Sequence, residues 1–276
     1  MSEVNTTPQG GRIRRMATAV LGDSGAREIA KRKTEAEAFA RNRFTRLGRS
    51  NYAYLSSLRD SHKGQRCVII GNGPSLNETD MGLLRDETTF GLNRIYLMFG
   101  RLGFETTYHA VVNRHVVEQS TDDFLKLSAP LFTTFPNANS FGDTPGVGYL
   151  NKLIGPRFST DIRQGIWEGA TVTFVAMQIA YFMGFKDVVL VGVDHNFVSK
   201  GPAHTLVESA GADPNHFDPN YFGKGYKWQL PDLETSEIAY KLARDAFAKR
   251  GGRVVDATVG GKLAVFEKLD LAVALS

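Results

Sequence analysis

The stretch that most constrains the fold is residues 66–76, Arg-Cys-Val-Ile-Ile-Gly-Asn-Gly-Pro-Ser-Leu. Its apolar residues have the length of a buried strand, and they lead directly into a turn that contains two glycines. Pro74 suits the first turn of a helix, because its missing N–H costs nothing there. The pattern predicts a strand, a turn and a helix start. In that unit, Gly71 and Gly73 would adopt backbone angles closed to other residues, and the helix start would face an anion.

This turn differs from two common phosphate-binding motifs. Leu76 stands where the dinucleotide fingerprint needs Gly or Ala, and no Gly-Lys-Ser/Thr follows as it would in a P-loop. An ordinary strand-to-helix turn and a phosphate site therefore both stay open on this stretch alone.

Strand-like and helix-like runs alternate through the rest of the chain. The predicted strands are 66–70, 88–92, 107–112, 131–135, 188–193 and 253–256, and the predicted helices are 78–85, 94–102, 115–127, 171–184 and 234–250. This alternation predicts an α/β fold, a Rossmann-like doubly wound and mostly parallel sheet. Residues 136–168 are predicted to be irregular, and residues 195–233 to form a lid-like insertion.

Composition separates an N-terminal arm from one large domain. Residues 1–60 hold 12 Lys and Arg against 6 Asp and Glu, which predicts a basic helical arm that can contact a membrane surface or a second copy of the chain. We predict no nucleic-acid partner. Residues 61–276 suit a single nucleotide-binding domain.

The single cysteine, Cys67, leaves no internal disulfide to form and favours a reducing compartment. No signal peptide or membrane-spanning apolar stretch is evident. We expect a cytoplasmic protein, peripheral at most at the inner face of the membrane.

Polar residues follow four predicted strands, at the carboxyl ends where a doubly wound sheet collects its ligands. Asp194 and His195 follow one of these strands. The residues predicted to bind a ligand along this edge are Gly71, Asn72, Gly73, Pro74, Ser75, Asn93 and Asn113. Arg94 and Arg114 are expected to meet phosphate charge.

A second helix start lies at Gly169, Ala170 and Thr171, where Thr171 is a candidate N-cap. Backbone N–H groups at such a start can bind a second anion, or the residues can simply cap a helix. Both interpretations stay open, and we include the three residues in the predicted binding site.

Three residues are catalytic candidates. His195 and His216 can act as general bases near neutral pH, and His216 is preferred because it lies in the lid-like insertion. Asp194 ends a buried strand beside His195. We predict no metal site, since no Asp-x-Asp, Cys-x-x-Cys or His-x-x-x-His occurs. As neighbours along a strand, Asp194 and His195 are expected to point to opposite faces.

An ordered set of motifs runs along the chain: Val68 to Leu76, Gly91-Leu92-Asn93, Val112-Asn113, Gly192-Val193-Asp194 and Asn215-His216-Phe217. In this order they resemble the superfamily of bacterial Cst-type sialyltransferases and 6-hydroxymethylpterin diphosphokinase-like proteins, the domain of unknown function 115 group. The resemblance spans roughly residues 60–260. Within that superfamily, the resemblance is greater to uncharacterised members found among surface-polysaccharide genes.

For the sialyltransferases, the resemblance implies a Rossmann-like fold, a cytidine monophosphate-sugar donor and transfer without a metal ion. Carried over to this chain, it implies His216 as the general base. The residues it implies for the donor are Asn72, Gly73, Ser75, Asn93, Asn113 and Gly169 to Thr171. It implies a nucleotide-sugar co-substrate, a glycan acceptor and no prosthetic group. Asn196 stands where those enzymes have a tyrosine, so the donor's identity stays open.

Two other functions are compatible with the same motifs. One is a diphosphokinase that uses ATP with Mg²⁺, in which Asp194 would become a metal ligand. The other is a non-catalytic nucleotide-binding assembly protein whose arm docks on a membrane or a partner. The acceptor and the oligomeric state stay open.

Overall fold

A computed structural model describes residues 29–197 and 201–276. The predicted arm before residue 29 lies outside these ranges. Within them, helix α1 covers residues 29–44 and helix α2 covers Arg46–Ser57. The amide of Asn51 binds both backbone groups of Tyr149, at 2.7 and 2.9 Å. Helix α2 is thereby tied to an edge strand of the sheet.

The sheet has eight strands, and each pair of neighbours is parallel. The first six are β1 Arg66–Ile70, β2 Thr89–Leu92, β3 Tyr108–Ala110, β4 Leu131–Thr134, β5 Val147–Leu150 and β6 Asp187–Val191. A hairpin of β7 Leu206–Glu208 and β8 Lys227–Gln229 lies apart from the sheet, and β9 Arg253–Asp256 and β10 Glu267–Lys268 complete it. The order is β10-β9-β6-β1-β2-β3-β4-β5, which confirms the predicted doubly wound fold.

The remaining α-helices are α3 Phe99–Leu102, α4 Arg114–Phe124, α5 Ala138–Phe141, α6 Val172–Phe182, α7 Leu233–Lys249 and α8 Leu271–Ala274. The helix predicted at 78–85 is wrong in type, and the helix predicted at 94–102 is α-helical only in its second half. The first is the separate 3-10 turns Pro74–Asn77 and Met81–Leu84, and the second is a 3-10 turn, Ile95–Met98, that leads into α3. Residues 136–168 also contain α5 and β5, which were not predicted.

Strand β1 is buried on both faces, because a layer of helices or turns covers each side of the sheet. Cys67 and Ile69 pack on the side of α6 and α7, while Val68 and Ile70 pack on the side of the 3-10 turns. The continuous apolar run in the sequence is therefore explained by its position at the centre of the sheet. Strand order reverses between β1 and β6, which is where ligands bind in such folds.

The glycines of the turn after β1 are required for close approach rather than for unusual backbone angles. Gly73 has φ −69° and ψ 158°, and neither Gly71 nor Gly73 has a positive φ. A Cβ at Gly71 would overlap the carbonyl of Gly192, and a Cβ at Gly73 would overlap the carboxylate of Asp194. The prediction about backbone angles was wrong, because the turn packs tightly against the end of β6.

We expect Gly73→Ala to lower the free energy of unfolding by about 1–3 kcal/mol, since the new methyl group must displace the partly buried Asp194 carboxylate. Gly100→Ala is the matched control, because Gly100 is exposed in α3 and a Cβ there meets no atom within 4 Å. The control should be neutral or stabilising by up to about 1 kcal/mol. Equal unfolding midpoints in denaturant for the two variants would contradict this account of the turn.

Candidate functional site

A cleft opens where the carboxyl ends of β1, β2, β3 and β6 meet. Its inner cavity, of about 150 Å³, extends from the turn after β1 to the start of α7. Its outer cavity, of about 490 Å³, extends from the start of α4 to the β7–β8 hairpin. Asn93, Thr171 and His216 line both cavities. The two cavities are therefore parts of one cleft at the sheet edge where the sequence predicted a site.

The anion held by the turn after β1 is a side chain of the protein itself. Ser75 donates to Asp194 from its backbone N–H at 3.1 Å and from its hydroxyl at 2.6 Å. Gly73 N–H donates to the carbonyl of Gly192 at 2.9 Å. The helix start expected to face a ligand is a four-residue 3-10 turn whose donors at Ser75 are already engaged. Neither Pro74 nor Ser75 lines either cavity.

Burial raises the pKa of Asp194, and nearby Asp256 raises it further, while the hydrogen bonds from Ser75 oppose both effects. The carboxylate links the turn after β1 to the end of β6. Asp194 and His195 both line the inner cavity. The prediction of opposite faces fails because β6 ends at Val191 and His195 has φ +53°, so strand alternation no longer applies there.

Two asparagine amides from neighbouring strand ends face the inner cavity. Asn72 and Asn93 both line it, and the side-chain oxygen of each is buried without a hydrogen-bond partner. Asn93 has φ +46°, a conformation that asparagine tolerates better than most residues. Because Asn93 lines the outer cavity as well, it lies at the junction of the two cavities.

The buried histidine His109 is hydrogen-bonded to the backbone of Asn93. His109 Nε2 lies 2.7 Å from the Asn93 carbonyl oxygen, and burial lowers the pKa of His109 to about 4. The neutral ring therefore donates from Nε2 to Asn93. We infer that His109 holds the backbone of Asn93 in its left-handed conformation.

Asn113 and Thr171 begin two helices at the cleft. Asn113 caps α4 by accepting from His115 N–H at 2.9 Å, and it lines the outer cavity. Thr171 caps α6 by accepting from Thr173 N–H at 3.3 Å. Ala170 lines both cavities, whereas Gly169 lines neither. These helix starts direct backbone N–H groups towards the cleft.

His216 forms a pair with a carboxylate from its own segment. Its Nδ1 lies 2.7 Å from Asp213 Oδ2, and its ring stacks on Tyr221 with centroids 3.9 Å apart. Phe217 N–H donates to the carbonyl of Asn72 at 3.0 Å, so the insertion is docked directly on the turn after β1. His216 is thereby held at the junction of the cavities.

His195, which lines the inner cavity, also pairs with a carboxylate. His195 Nε2 lies 3.3 Å from Glu237 Oε1, a residue of α7. The side chain of His195 is only 8% exposed. Both histidines predicted from the sequence therefore reach the cleft, each with an acidic partner.

Arg94 has a structural role that differs from the predicted one. Its guanidinium donates to the carbonyl of Tyr221 and to the hydroxyl of Tyr96, and it lies 4.9 Å from the centre of the Tyr226 ring. It fastens the insertion to the core and does not line either cavity. Arg114 lines the outer cavity but pairs with Glu118 at 2.6 Å.

Sequence reasoning missed the residues that support the predicted ones. Asp213 lies three residues before His216, a spacing that could have been noticed within the insertion. Glu237 and His109 carry no local signal, because they meet His195 and Asn93 only through the fold.

Across residues 29–197 and 201–276, no three His, Cys, Asp or Glu side chains converge as a metal-binding group. In the same ranges, no helix has the length and apolar character needed to cross a bilayer.

Comparisons with known proteins identify relatives. A family model described as 6-hydroxymethylpterin diphosphokinase MptE-like matches residues 42–200, more than half of the chain, which confirms the resemblance seen in the sequence. No curated protein matches. The solved structure of the MAf glycosyltransferase from Magnetospirillum magneticum AMB-1 is similar, with 16% identity and a TM-score of 0.49. The match covers 77% of this chain and 35% of that protein.

We expect His109→Gln, which keeps a donor for Asn93, to change how stability depends on pH. In the wild type, the pKa of His109 falls from 6.5 in the unfolded chain to about 4 in the fold. The unfolded chain therefore binds more protons, and stability rises by about 3 kcal/mol between pH 4 and 6.5. In the variant, the free energy of unfolding measured with denaturant should not include this rise. Parallel wild-type and variant curves across that range would contradict the neutral state of the buried His109 ring.

Proposed function

Since the chain belongs to the 6-hydroxymethylpterin diphosphokinase MptE-like family, we propose that it is a transferase that moves a group from a nucleotide-activated donor to a hydroxyl acceptor. We further propose that the donor is a nucleotide sugar, with cytidine monophosphate as the carrier, and that the acceptor is a glycan of surface-polysaccharide or glycoconjugate assembly. The reaction proceeds without a metal ion. The protein works in the cytoplasm, with the basic arm available for contact with the membrane.

The observation that carries this proposal is the His216–Asp213 pair at the junction of the two cavities. A carboxylate can only accept a hydrogen bond, so His216 Nδ1 carries the proton and Nε2 is the basic nitrogen. Asp213 orients the ring and stabilises the imidazolium that forms when Nε2 takes a proton. Stacking on Tyr221 limits rotation of the ring. This arrangement is that of a preorganised general base.

The two cavities provide separate places for donor and acceptor. The donor occupies the inner cavity, where Asn72, Asn93 and the N-terminus of α6 bind its nucleotide. The acceptor occupies the outer cavity, which is larger and includes Trp228 and Asn113 among its lining residues. The bond that breaks then lies beside His216.

The transfer is a direct displacement. His216 Nε2 removes the proton from the acceptor hydroxyl as its oxygen attacks the anomeric carbon of the donor sugar. The bond between that carbon and the phosphate oxygen breaks, and the nucleoside monophosphate leaves with the electron pair. Proximity of the two substrates in one cleft lowers the entropic part of the barrier.

The family description favours a second candidate, a diphosphokinase that uses ATP. That reaction requires Mg²⁺, which is usually bound by one or two carboxylates together with phosphates. The carboxylates among the described residues that line the inner cavity are Asp194 and Asp232. Both oxygens of Asp194 accept from Ser75, and both oxygens of Asp232 accept from Thr235. Each of these four oxygens already accepts one hydrogen bond within the protein, and no step is derived through the ion.

We expect cytidine nucleotides to raise the melting temperature of the full chain, and to do so equally with Mg²⁺ and with EDTA. The physical reason is that a ligand bound only by the native state stabilises it by mass action. A thermal-shift screen of cytidine, uridine, adenosine and guanosine nucleotides measures this. A shift by ATP that strictly requires Mg²⁺ would favour the diphosphokinase, and unchanged melting with every nucleotide would contradict both candidates.

We expect His216→Ala to reduce transfer by about 10²–10⁴-fold, the usual contribution of a general base, while the nucleotide-induced thermal shift persists. Asp213→Asn should reduce transfer less strongly, because the base stays in place but loses its orienting charge. The matched control is Asp218→Asn, a change in the same insertion at a residue that lines neither cavity. Tight nucleotide binding with no transfer by the wild type would indicate the non-catalytic alternative.

A further inference from the structure

A phosphate that enters the inner cavity meets negative charge and, in the part of the chain that the structure describes, no basic side chain of Lys or Arg. Among the described residues that line it, none is Lys or Arg, whereas Asp194 and Asp232 contribute carboxylates. Of the two arginines predicted to meet phosphate charge, Arg94 is bound to Tyr221 instead and Arg114 lines only the outer cavity. A nucleotide phosphate at this place therefore needs another cation, and the lining side chains that can supply one are His195 and His216.

His216 is unsuited to that role in the proposed transfer, because a general base must start neutral. His195 is placed differently. It follows the end of β6, its Nε2 lies 3.3 Å from Glu237 Oε1, and its side chain is 8% exposed. In the protonated ring both nitrogens are donors. Nε2 can then bind Glu237 while Nδ1 binds a ligand oxygen.

We propose that His195, held as an imidazolium by Glu237, binds the phosphate of the donor and neutralises the charge that this phosphate gains when its bond to the transferred group breaks. This inference rests on the proposed function, because it needs a departing phosphate. It assigns opposite protonation states to the two histidines of the cleft: His216 accepts a proton from the acceptor, and His195 keeps its proton throughout.

Glu237 is the positioning residue in this arrangement. It lies on α7 and contacts His195 without lining either cavity, and Lys241 Nζ lies 4.0 Å from its Oε2. A carboxylate that accepts from Nε2 fixes the orientation of the ring and so of Nδ1. Removing the charge of Glu237 should therefore weaken phosphate binding without removing any atom that contacts the phosphate.

The pH dependence of phosphate binding also reflects the other charged and titratable groups at and beside the cleft. After β6 there is Asp194, at the end of β9 there is Asp256, on α7 there are Glu237, Tyr240 and Lys241, and in the insertion there are Asp213, His216, His204 and Asp232. The imidazoles of the histidines are the groups whose ordinary charge change falls between about pH 5 and 8. Affinity for a phosphate ligand of constant charge should therefore fall as the pH rises through that range.

The test uses ligands whose own charge does not change between pH 5 and 9. These are the 5′-methylphosphate diesters of cytidine and adenosine, each compared with its parent nucleoside by calorimetry on the full chain. The variants are His195→Asn, which tolerates the positive φ of residue 195, and Glu237→Gln. The matched control is Glu234→Gln, an exposed position on the same helix.

We expect His195→Asn to weaken binding of the diester by about ten- to a hundredfold at pH 6, the value of a charge-assisted hydrogen bond, and to reduce its pH dependence. Binding of the nucleoside should not change. Glu237→Gln should weaken binding of the diester but not of the nucleoside, and Glu234→Gln should behave as the wild type.

Two outcomes would overturn this role of His195, and they differ from a failure of the proposed function. If His195→Asn binds the diester as the wild type does at every pH, the phosphate is held elsewhere. If nucleoside and diester binding weaken equally, His195 only shapes the cavity. If neither nucleoside nor diester binds the wild type at any pH, the proposed nucleotide site itself is wrong.

Discussion

The contact between the turn after β1 and the end of β6 is the interaction on which the rest of the site depends. Gly71 and Gly73 pack so closely against Gly192 and Asp194 that a methyl group on either glycine would overlap them. Two hydrogen bonds from Ser75 to Asp194 close the contact. It lies at the point where strand order reverses, so it shapes the floor of the cleft where the fold places its ligands.

The insertion completes the cleft by docking on that same turn. Phe217 donates to Asn72, and Arg94 binds the carbonyl of Tyr221. Because both contacts are made to strand-end residues, the insertion is positioned by the sheet rather than by its own short hairpin. His216 therefore reaches the junction of the two cavities, together with the acidic partner that comes from its own segment.

Much of the fold could be predicted from the sequence, and the reasons are local. The strand at 66–70 has the bounds that its apolar residues indicate, and α7 and β9 end close to where the pattern placed them. The 3-10 turns could not be separated from α-helices, because their apolar spacing is similar over four residues. Strand β5 was missed since its pairing with β4 and its contact with Asn51 are both long-range.

Apolar periodicity in the sequence marks where a buried strand stops and polar residues begin, so Asn72, Asn93, Asn113 and Asp194 could be recognised as candidates at strand ends, and His216 as a candidate within the insertion. Their roles follow from the folded arrangement. Asp194 takes the donors that a ligand was expected to use, Arg94 holds the insertion, and His109 and Glu237 support Asn93 and His195 from distant elements. Hydrogen bonds of these kinds depend on distances between elements far apart in the chain, and no spacing along the sequence records those distances.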